Sequence, residues 1–288
     1  MTPRLSRSVL DRAAHRRNDS AWLAAAWQRS RVLLVDPETA SAPVEGDPPR
    51  LRFVTPAEAP AGDRLYLGGE ETPYFAVATT VVDGGGLREV GAELSEFDAG
   101  VLTEAVALVR WHVDHRFHHL DGTPTRPTAG GWERRTTDDV VWPRTDPAIM
   151  VMITDGADRC LLANGVGWPS DRYSCVAGFV EPGESAEAAA HREVGEEVGV
   201  TLTDLTYVAS QPWPFPRSLM LAFEGVADPT ARIVVQDDEI AHARWFHRDE
   251  LAAALRGEAG PLRVPPSISI SRFLMERWLA KVEPRLVG

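Results

Sequence analysis

Apolar and polar positions change rhythm several times along the chain, and each change marks an element. RVLLVD at 31–36 is a short apolar run of the kind that forms a strand. The following ASAPVEGDPPR is Pro-rich without a hydrophobic period, which predicts a loop. RLYLGG and PYFAVATTVV predict two strands joined by a polar turn at Glu70, Glu71 and Thr72. From Ser95 to about Phe117, the residues Phe97, Val101, Ala105, Leu108, Trp111 and Val113 keep roughly helical spacing and predict a long helix. Residues 118–145 lose that periodicity and read as a connector or a very small module. From Ala148 the pattern predicts a strand (AIMVMIT), a turn, a strand (CLLAN), a loop with Trp168 and a strand (YSCVAGFV). A helix over about Ser185–Val198, further strands and a last helix near 269–282 complete it. Alternation of this kind indicates an α/β layered domain.

A length of 288 residues suits two domains. The divisions expected are an N-terminal α+β domain over 1–117, a connector over 118–143 and a second domain over 144–288. With 44% apolar and 25% charged residues, the composition is that of an ordinary globular protein. No apolar run approaches a bilayer span, and MTPRLSRSVLDRAAHRRND lacks the apolar core of a signal peptide, so a cytoplasmic protein with no membrane partner is expected. Cys160 and Cys175 each sit inside an apolar stretch, which suits buried reduced thiols. The net charge of −12 argues against non-specific gripping of nucleic acid, which needs the opposite sign. An acidic protein still binds an anionic substrate when metal ions stand between carboxylates and phosphates.

The segment from Gly178 to Val200, GFVEPGESAEAAAHREVGEEVGV, supplies such carboxylates. Glu181-Pro182-Gly183 reads as a turn, Ser185 as an N-cap, Ala186–Ala190 as strong helix formers and Gly199 as the C-terminal stop. Glu193, Glu196 and Glu197 fall at i, i+3 and i+4, on one helix face. Three such carboxylates repel one another unless a cation sits among them, and oxygen-only ligands favour Mg²⁺ or Mn²⁺. A solvated acidic face is the plain alternative, but it leaves the rest of the pattern unexplained. Gly195 inside the helix costs about 1 kcal/mol against Ala.

The segment resembles the Nudix hydrolase signature at every fixed position, Gly-x5-Glu-x7-Arg-Glu-(apolar)-x-Glu-Glu-x-Gly-(apolar). A chance match at one start point is on the order of 10⁻⁹. The resemblance implies an α/β/α sandwich with a mixed sheet, preceded by the smaller α+β domain. It also implies that Glu193 and Glu197 ligate metal, that Glu196 is a further ligand or the base, and that the Ala177 carbonyl completes the site. Gly178, Glu184 and Arg192 take orienting roles, with Glu184 and Arg192 paired.

Further on, Ser210-Gln211-Pro212-Trp213-Pro214-Phe215-Pro216-Arg217-Ser218 alternates prolines with aromatics. The prolines stiffen the backbone and exclude a central strand, so Trp213 and Phe215 are presented at little entropic cost for stacking on a planar heterocycle. Aromatics plugging a core are the alternative on composition alone. The segment is similar to the hallmark of the NADH pyrophosphatase branch of the Nudix family, as are ALVRWHVDHRF, PRTDPAIM, QDDEI and PPSISISRFL, in order, over roughly 65–280. That likeness implies cleavage of NADH, and of NAD⁺, to nicotinamide mononucleotide and AMP by a homodimer. It makes Glu239 a further metal ligand, and Trp142 and Ser271 pocket residues beside Gln211, Pro212, Trp213, Pro214, Phe215, Pro216, Arg217 and Ser218.

The same branch carries a zinc ribbon of two Cys-x-x-Cys pairs. Here the pairs are replaced within Phe117–Gly122 and Arg135–Val140, and no cysteine remains. His112, His115, His118 and His119 read as ordinary helix and loop histidines, so no structural zinc is expected. Removal of NAD caps from RNA uses the same bond and is the alternative activity. A catalytically silent module that binds dinucleotides is the alternative of another class, and such modules usually lose the motif glutamates that are all present here.

Overall fold

Helix α1 (Ser20–Trp27) begins where the Asp19 carboxylate accepts the Trp22 amide at 2.9 Å, an N-cap that satisfies one orphan donor. The computed structural model describes residues 2–236 and 238–281. Within them the chain forms two units. One comprises Leu5–Thr145 with Pro212–Arg217, and the other Met1–Arg4, Asp146–Gln211 and Ser218–Gly288.

In the first unit α1 is followed by β1 (Arg31–Val35), β2 (Ser41–Glu45), β3 (Arg50–Leu51), β4 (Leu65–Gly68), β5 (Tyr74–Ala78) and β6 (Gly84–Gly86). Helices α2 (Leu87–Val90) and α3 (Glu96–Asp114) come next. Strand β5 lies between β1, which it meets in parallel, and antiparallel β4. The expected loop at 40–50 is instead strand, with β2 in the middle of a β3-β2-β6 sheet. Pro43 is tolerated there because the two ladders are offset. Strand β6 pairs with Ser41–Pro43 and β3 with Val44 and Glu45, so the missing N–H falls where one ladder ends. The Pro43 carbonyl still accepts the Arg52 amide at 2.9 Å.

Helix α3 starts at its Ser95 cap and buries the face that its apolar spacing marks, but it stops at Asp114, short of Phe117. Thr125 takes the carbonyls of His115 and Arg116 at 2.7 and 2.9 Å and turns the chain away. The connector then forms a small antiparallel sheet of β7 (Arg126–Thr128), β8 (Glu133–Arg135) and β9 (Val140–Val141). Its interior is polar. Buried Arg134 gives Nε and Nη2 to the Thr125 hydroxyl and carbonyl and Nη1 to His112 Nδ1 at 2.7 Å. His112 donates from Nε2 to the Gly131 carbonyl at 2.7 Å, and burial pushes its pKa down to about 4. Buried His118 has Nδ1 3.1 Å from Asp121 and Nε2 3.0 Å from Asp139, and so ties together the two turns that replace the Cys pairs. Metal analysis of the purified protein is expected to find no stoichiometric zinc, and strong chelators to leave its near-UV circular dichroism intact. One tightly held Zn²⁺ per chain would overturn this reading.

Helix α3 also carries Glu104, a carboxylate almost wholly buried 3.3 Å from Arg12. Burial raises its pKa to about 7, and the guanidinium groups of Arg12 and Arg17 offset this only in part. Because the folded value lies above the ordinary carboxylate value, the native state binds the extra proton and loses stability as pH rises from about 4.5 to about 7. The loss is up to about 3 kcal/mol. Glu104→Gln is expected to make the slope of Tm against pH between about 5 and 7.5 more positive than in the wild type, and an unchanged slope would show that Glu104 does not carry this dependence.

The second unit is built on β10 (Asp146–Thr154). Next come β11 (Arg159–Gly165), β12 (Val176–Phe179), α4 (Ala186–Val198), β13 (Leu202–Trp213), β14 (Ser218–Ala227), β15 (Ile240–His247), α5 (Arg248–Leu255) and α6 (Ile270–Ala280). The mixed sheet runs β13-β14-β10-β11-β15, with β12 also on β10. Strand β10 is parallel to β14 and antiparallel to β11 and β12. Ile149, Val151 and Ile153, at period two, share one core with Ala189, Ala190, Val194 and Val198 of α4. The proline-bearing β13 lies at the sheet edge, where a missing N–H is tolerated. The sequence pattern did not single out α5. A capping box begins it, with Glu250 accepting the His247 amide at 2.8 Å and the His247 ring accepting the Asp249 amide.

Candidate functional site

Helix α4 forms as its sequence dictates. Ser185 caps it by accepting the Ala188 amide at 3.1 Å, and Gly199 ends it at a φ of 71°, which only glycine adopts freely. About two turns in from that end stands Arg192, whose guanidinium is fully engaged. It grips both oxygens of Glu184 at 2.7 and 2.9 Å, reaches Glu193 and Glu196 at 2.9 Å each, and donates to the Phe179 carbonyl at 2.9 Å. Glu184 in turn accepts the Glu181 amide, so loop and helix are locked together. Arg192, and then that amide, pull the Glu184 carboxyl down to about 2.

Glu193 lies against the α-carbon of Gly178. A Cβ at Gly178 would stand 2.0 Å from the Glu193 carboxylate, so only glycine leaves that carboxylate its place. Glu197 is 6% exposed, and among the described residues no basic side chain pairs with it. Burial first, and then the charges of Glu193 and Glu239, push its carboxyl up to about 8 against the opposing Ala177 amide. Glu239 comes from the turn before β15, where the Gln236 amide meets the Glu197 carbonyl at 3.3 Å and the Val166 amide meets the Glu239 carbonyl at 2.8 Å. Among the described residues no three His, Cys, Asp or Glu side chains form a finished metal cage. The chemistry of the donors nevertheless fits a hard divalent cation. Glu193, Glu196, Glu197, Glu239 and the Ala177 carbonyl are all oxygen, and the buried Glu197 charge lacks a counter-charge.

Beside these groups lies a cavity of 390 Å³, with Ala177, Glu197 and Glu239 in its wall together with Met150, Val166 and Trp168. Asn164 holds the Trp168 loop by donating to the Pro169 and Arg172 carbonyls at 2.8 and 2.6 Å. The indole lies on Gly165, with the Arg172 guanidinium 4.3 Å from its centre. Sequence reasoning assigned Trp168 no role, although an aromatic in a Gly- and Pro-rich loop is a usable signal. Phe179, 58% exposed within the signature, was passed over in the same way.

A model of the NUDIX domain matches residues 144–266. A Mycobacterium bovis protein named NAD-capped RNA hydrolase NudC is 38% identical over 297 residues, covering 96% of this chain and 95% of its own. The chain belongs to the Nudix hydrolase family. The human mitochondrial NAD(P)H pyrophosphatase NUDT13 is 38% identical over 208 residues, covering 68% of this chain and 59% of its own.

The remaining residues of this Nudix hydrolase fall in different places. Ser271 is fully buried behind the cavity wall, where its hydroxyl meets the Ser174 hydroxyl at 2.9 Å and the Cys175 amide at 3.1 Å. Gln211 is also buried and gives Nε2 to the Ile268 carbonyl at 3.1 Å, and Ser218 is buried at the start of β14. Trp142 belongs to the first unit and is 62% exposed. Pro212, Trp213, Pro214, Phe215, Pro216 and Arg217 belong to that unit too. Trp213 and Phe215 meet edge to face at 4.9 Å, and the Arg88 guanidinium lies 4.2 Å from the Phe215 centre. Cys160 and Cys175 are buried free thiols, and burial pushes the Cys175 thiol up to about 12.

Two substitutions separate the carboxylates from the fold that carries them. Gly178→Ala is expected to displace the Glu193 carboxylate, a flexible side-chain end, and Glu197→Gln to remove a charge at constant size. Each is expected to lower kcat/KM for diphosphate hydrolysis by about a hundredfold or more at nearly unchanged Tm. Near-normal turnover in folded Glu197→Gln protein would sink the site.

Proposed function

We propose that this Nudix hydrolase cleaves the pyrophosphate of NADH, and of NAD⁺, to nicotinamide mononucleotide and AMP. The observation that carries the reading is the buried, uncompensated Glu197 carboxylate beside Glu193 and Glu239, opening onto a cavity with an indole in its wall. The NudC and NUDT13 relatives, whose names specify NAD-capped RNA and NAD(P)H, support the substrate class. Glu193, Glu196, Glu197, Glu239 and the Ala177 carbonyl would hold Mg²⁺ or Mn²⁺, which supplies charge neutralisation at the diphosphate and acidifies a water. Arg192 keeps the glutamate row in place through its three carboxylate contacts, and Glu184 keeps Arg192 in place. The attacking water's proton passes to a carboxylate of the same row.

The glutamate helix recognises only a diphosphate, so choice among substrates rests on what surrounds it. The Gln211–Ser218 segment, Trp142 and Ser271 are assigned to substrate choice, in a cytoplasmic homodimer. Reduced nicotinamide is neutral and the oxidised ring cationic, so the Arg172 guanidinium beside the Trp168 indole in the cavity wall disfavours the cationic ring and favours NADH over NAD⁺.

NAD-cap removal is the second reading, favoured by the name of the NudC relative, which matches over nearly the whole chain. Initial rates on NADH, NAD⁺, ADP-ribose, diadenosine diphosphate and NAD-capped RNA under one Mn²⁺ condition test both. NADH is expected to lead the small molecules and to yield AMP. ADP-ribose matching NADH would defeat the substrate claim and leave the diphosphate chemistry standing. NAD-capped RNA outpacing NADH would transfer the claim to the second reading.

A further inference from the structure

The Pro212–Arg217 loop has three prolines to fix its backbone, but prolines do not fix the direction of an aromatic ring. Two arginines of the same unit address that ring. Arg88 of α2 places its guanidinium 4.2 Å from the Phe215 centre and 5.5 Å from that of Trp213. Arg110 of α3 stands 5.7 Å from Phe215 and donates Nη1 to the Pro214 carbonyl at 2.8 Å. That carbonyl belongs to a buried residue in a turn. One helical turn further along α3, Asp114 faces Arg217 at 3.9 Å. Among the described residues neither Arg88 nor Arg110 has a carboxylate partner, so both charges are spent on the loop. A guanidinium over a ring face adds attraction of its own, and a hydrogen bond to a buried carbonyl costs more to lose than to lack.

We propose that Arg88 and Arg110 are positioning residues for substrate recognition. Arg110 fixes the loop backbone at Pro214 and Arg88 fixes the Phe215 ring, so substrate meets a loop whose shape is already set. The inference rests on the reading of the Gln211–Ser218 segment as the recognition loop. It alters that reading in one respect. The Phe215 face under Arg88 is held by a cation and is not open to a base, so Phe215 acts by shape and through its neighbours.

Steady-state kinetics on NADH with saturating Mn²⁺, beside Tm, test the assignment on Arg88→Ala, Arg110→Ala, Arg110→Lys and Phe215→Ala. Arg88→Ala and Arg110→Ala are expected to raise KM about tenfold with kcat within about twofold. Arg110→Lys keeps a donor and a charge and is expected to restore most of the loss. If Phe215→Ala raises KM while both arginine variants keep the wild-type value, the positioning role is wrong and the recognition loop stands. If Phe215→Ala also leaves KM unchanged, the loop reading itself falls. A drop in Tm without a change in KM assigns the arginines to stability alone and overturns the proposal. Arg88 lies on the surface, so its variant serves if Arg110→Ala fails to fold.

Discussion

Like charges crowd the second half of α4, and the arrangement holds because one guanidinium is shared among them. Arg192 contacts Glu184, Glu193 and Glu196 within 2.9 Å and ties the loop before the helix to the row of carboxylates. What Arg192 does not reach is Glu197. Three carboxylates share one guanidinium, while the buried fourth, with Glu239 beside it, has no basic side chain paired with it among the described residues. Gly178 belongs to the same economy of space, since the Glu193 carboxylate occupies the volume that any side chain there would fill.

Local rules governed the elements that could be read in advance. The Ser185 cap, the alanine run and the Gly199 stop define α4 within a few residues of chain, and the structure repeats them. The β1 run and the α3 period were legible for the same reason, because a buried face writes itself into the spacing of apolar residues. Strand β2 was not legible. Its proline is permitted only by the stagger of two partner ladders, a tertiary fact absent from its own residues. Helix α5 hides behind a histidine cap. The site divides in the same way. The orienting pair of Glu184 and Arg192 was visible as motif, whereas the burial of Ser271 and Gln211, and the place of Trp168 in the cavity wall, depend on distant chain segments.

The first unit shows what happens to an interior that small strands cannot make apolar. Arg134 is desolvated among the Thr125 hydroxyl and carbonyl and a neutral His112, and His118 bridges two aspartates across adjoining turns. Charged hydrogen bonds of this kind are directional, so they fix geometry where a few short strands would otherwise slide. Glu104 is the opposite case, a buried carboxylate whose oxygens lack hydrogen bonds among the described residues. Its contribution to stability fades as pH rises from about 4.5 to about 7, while that of neutral His112 grows between about 4 and 6.5, so the two buried groups pull the unit in opposite directions.

The path of the chain has a consequence for dissection. Residues 212–217, the end of β13 and the turn that follows it, belong to the same unit as α2 and α3 and pack with both helices before the chain begins β14. A fragment cut at Asp146 would keep every glutamate of α4 and the whole mixed sheet, yet its β13–β14 hairpin would end in a tip stripped of its native neighbours. Excision at an obvious boundary would therefore strip Pro212–Arg217 of α2 and α3, and chimeras that exchange only the N-terminal half would have to exchange six residues of the C-terminal half with it.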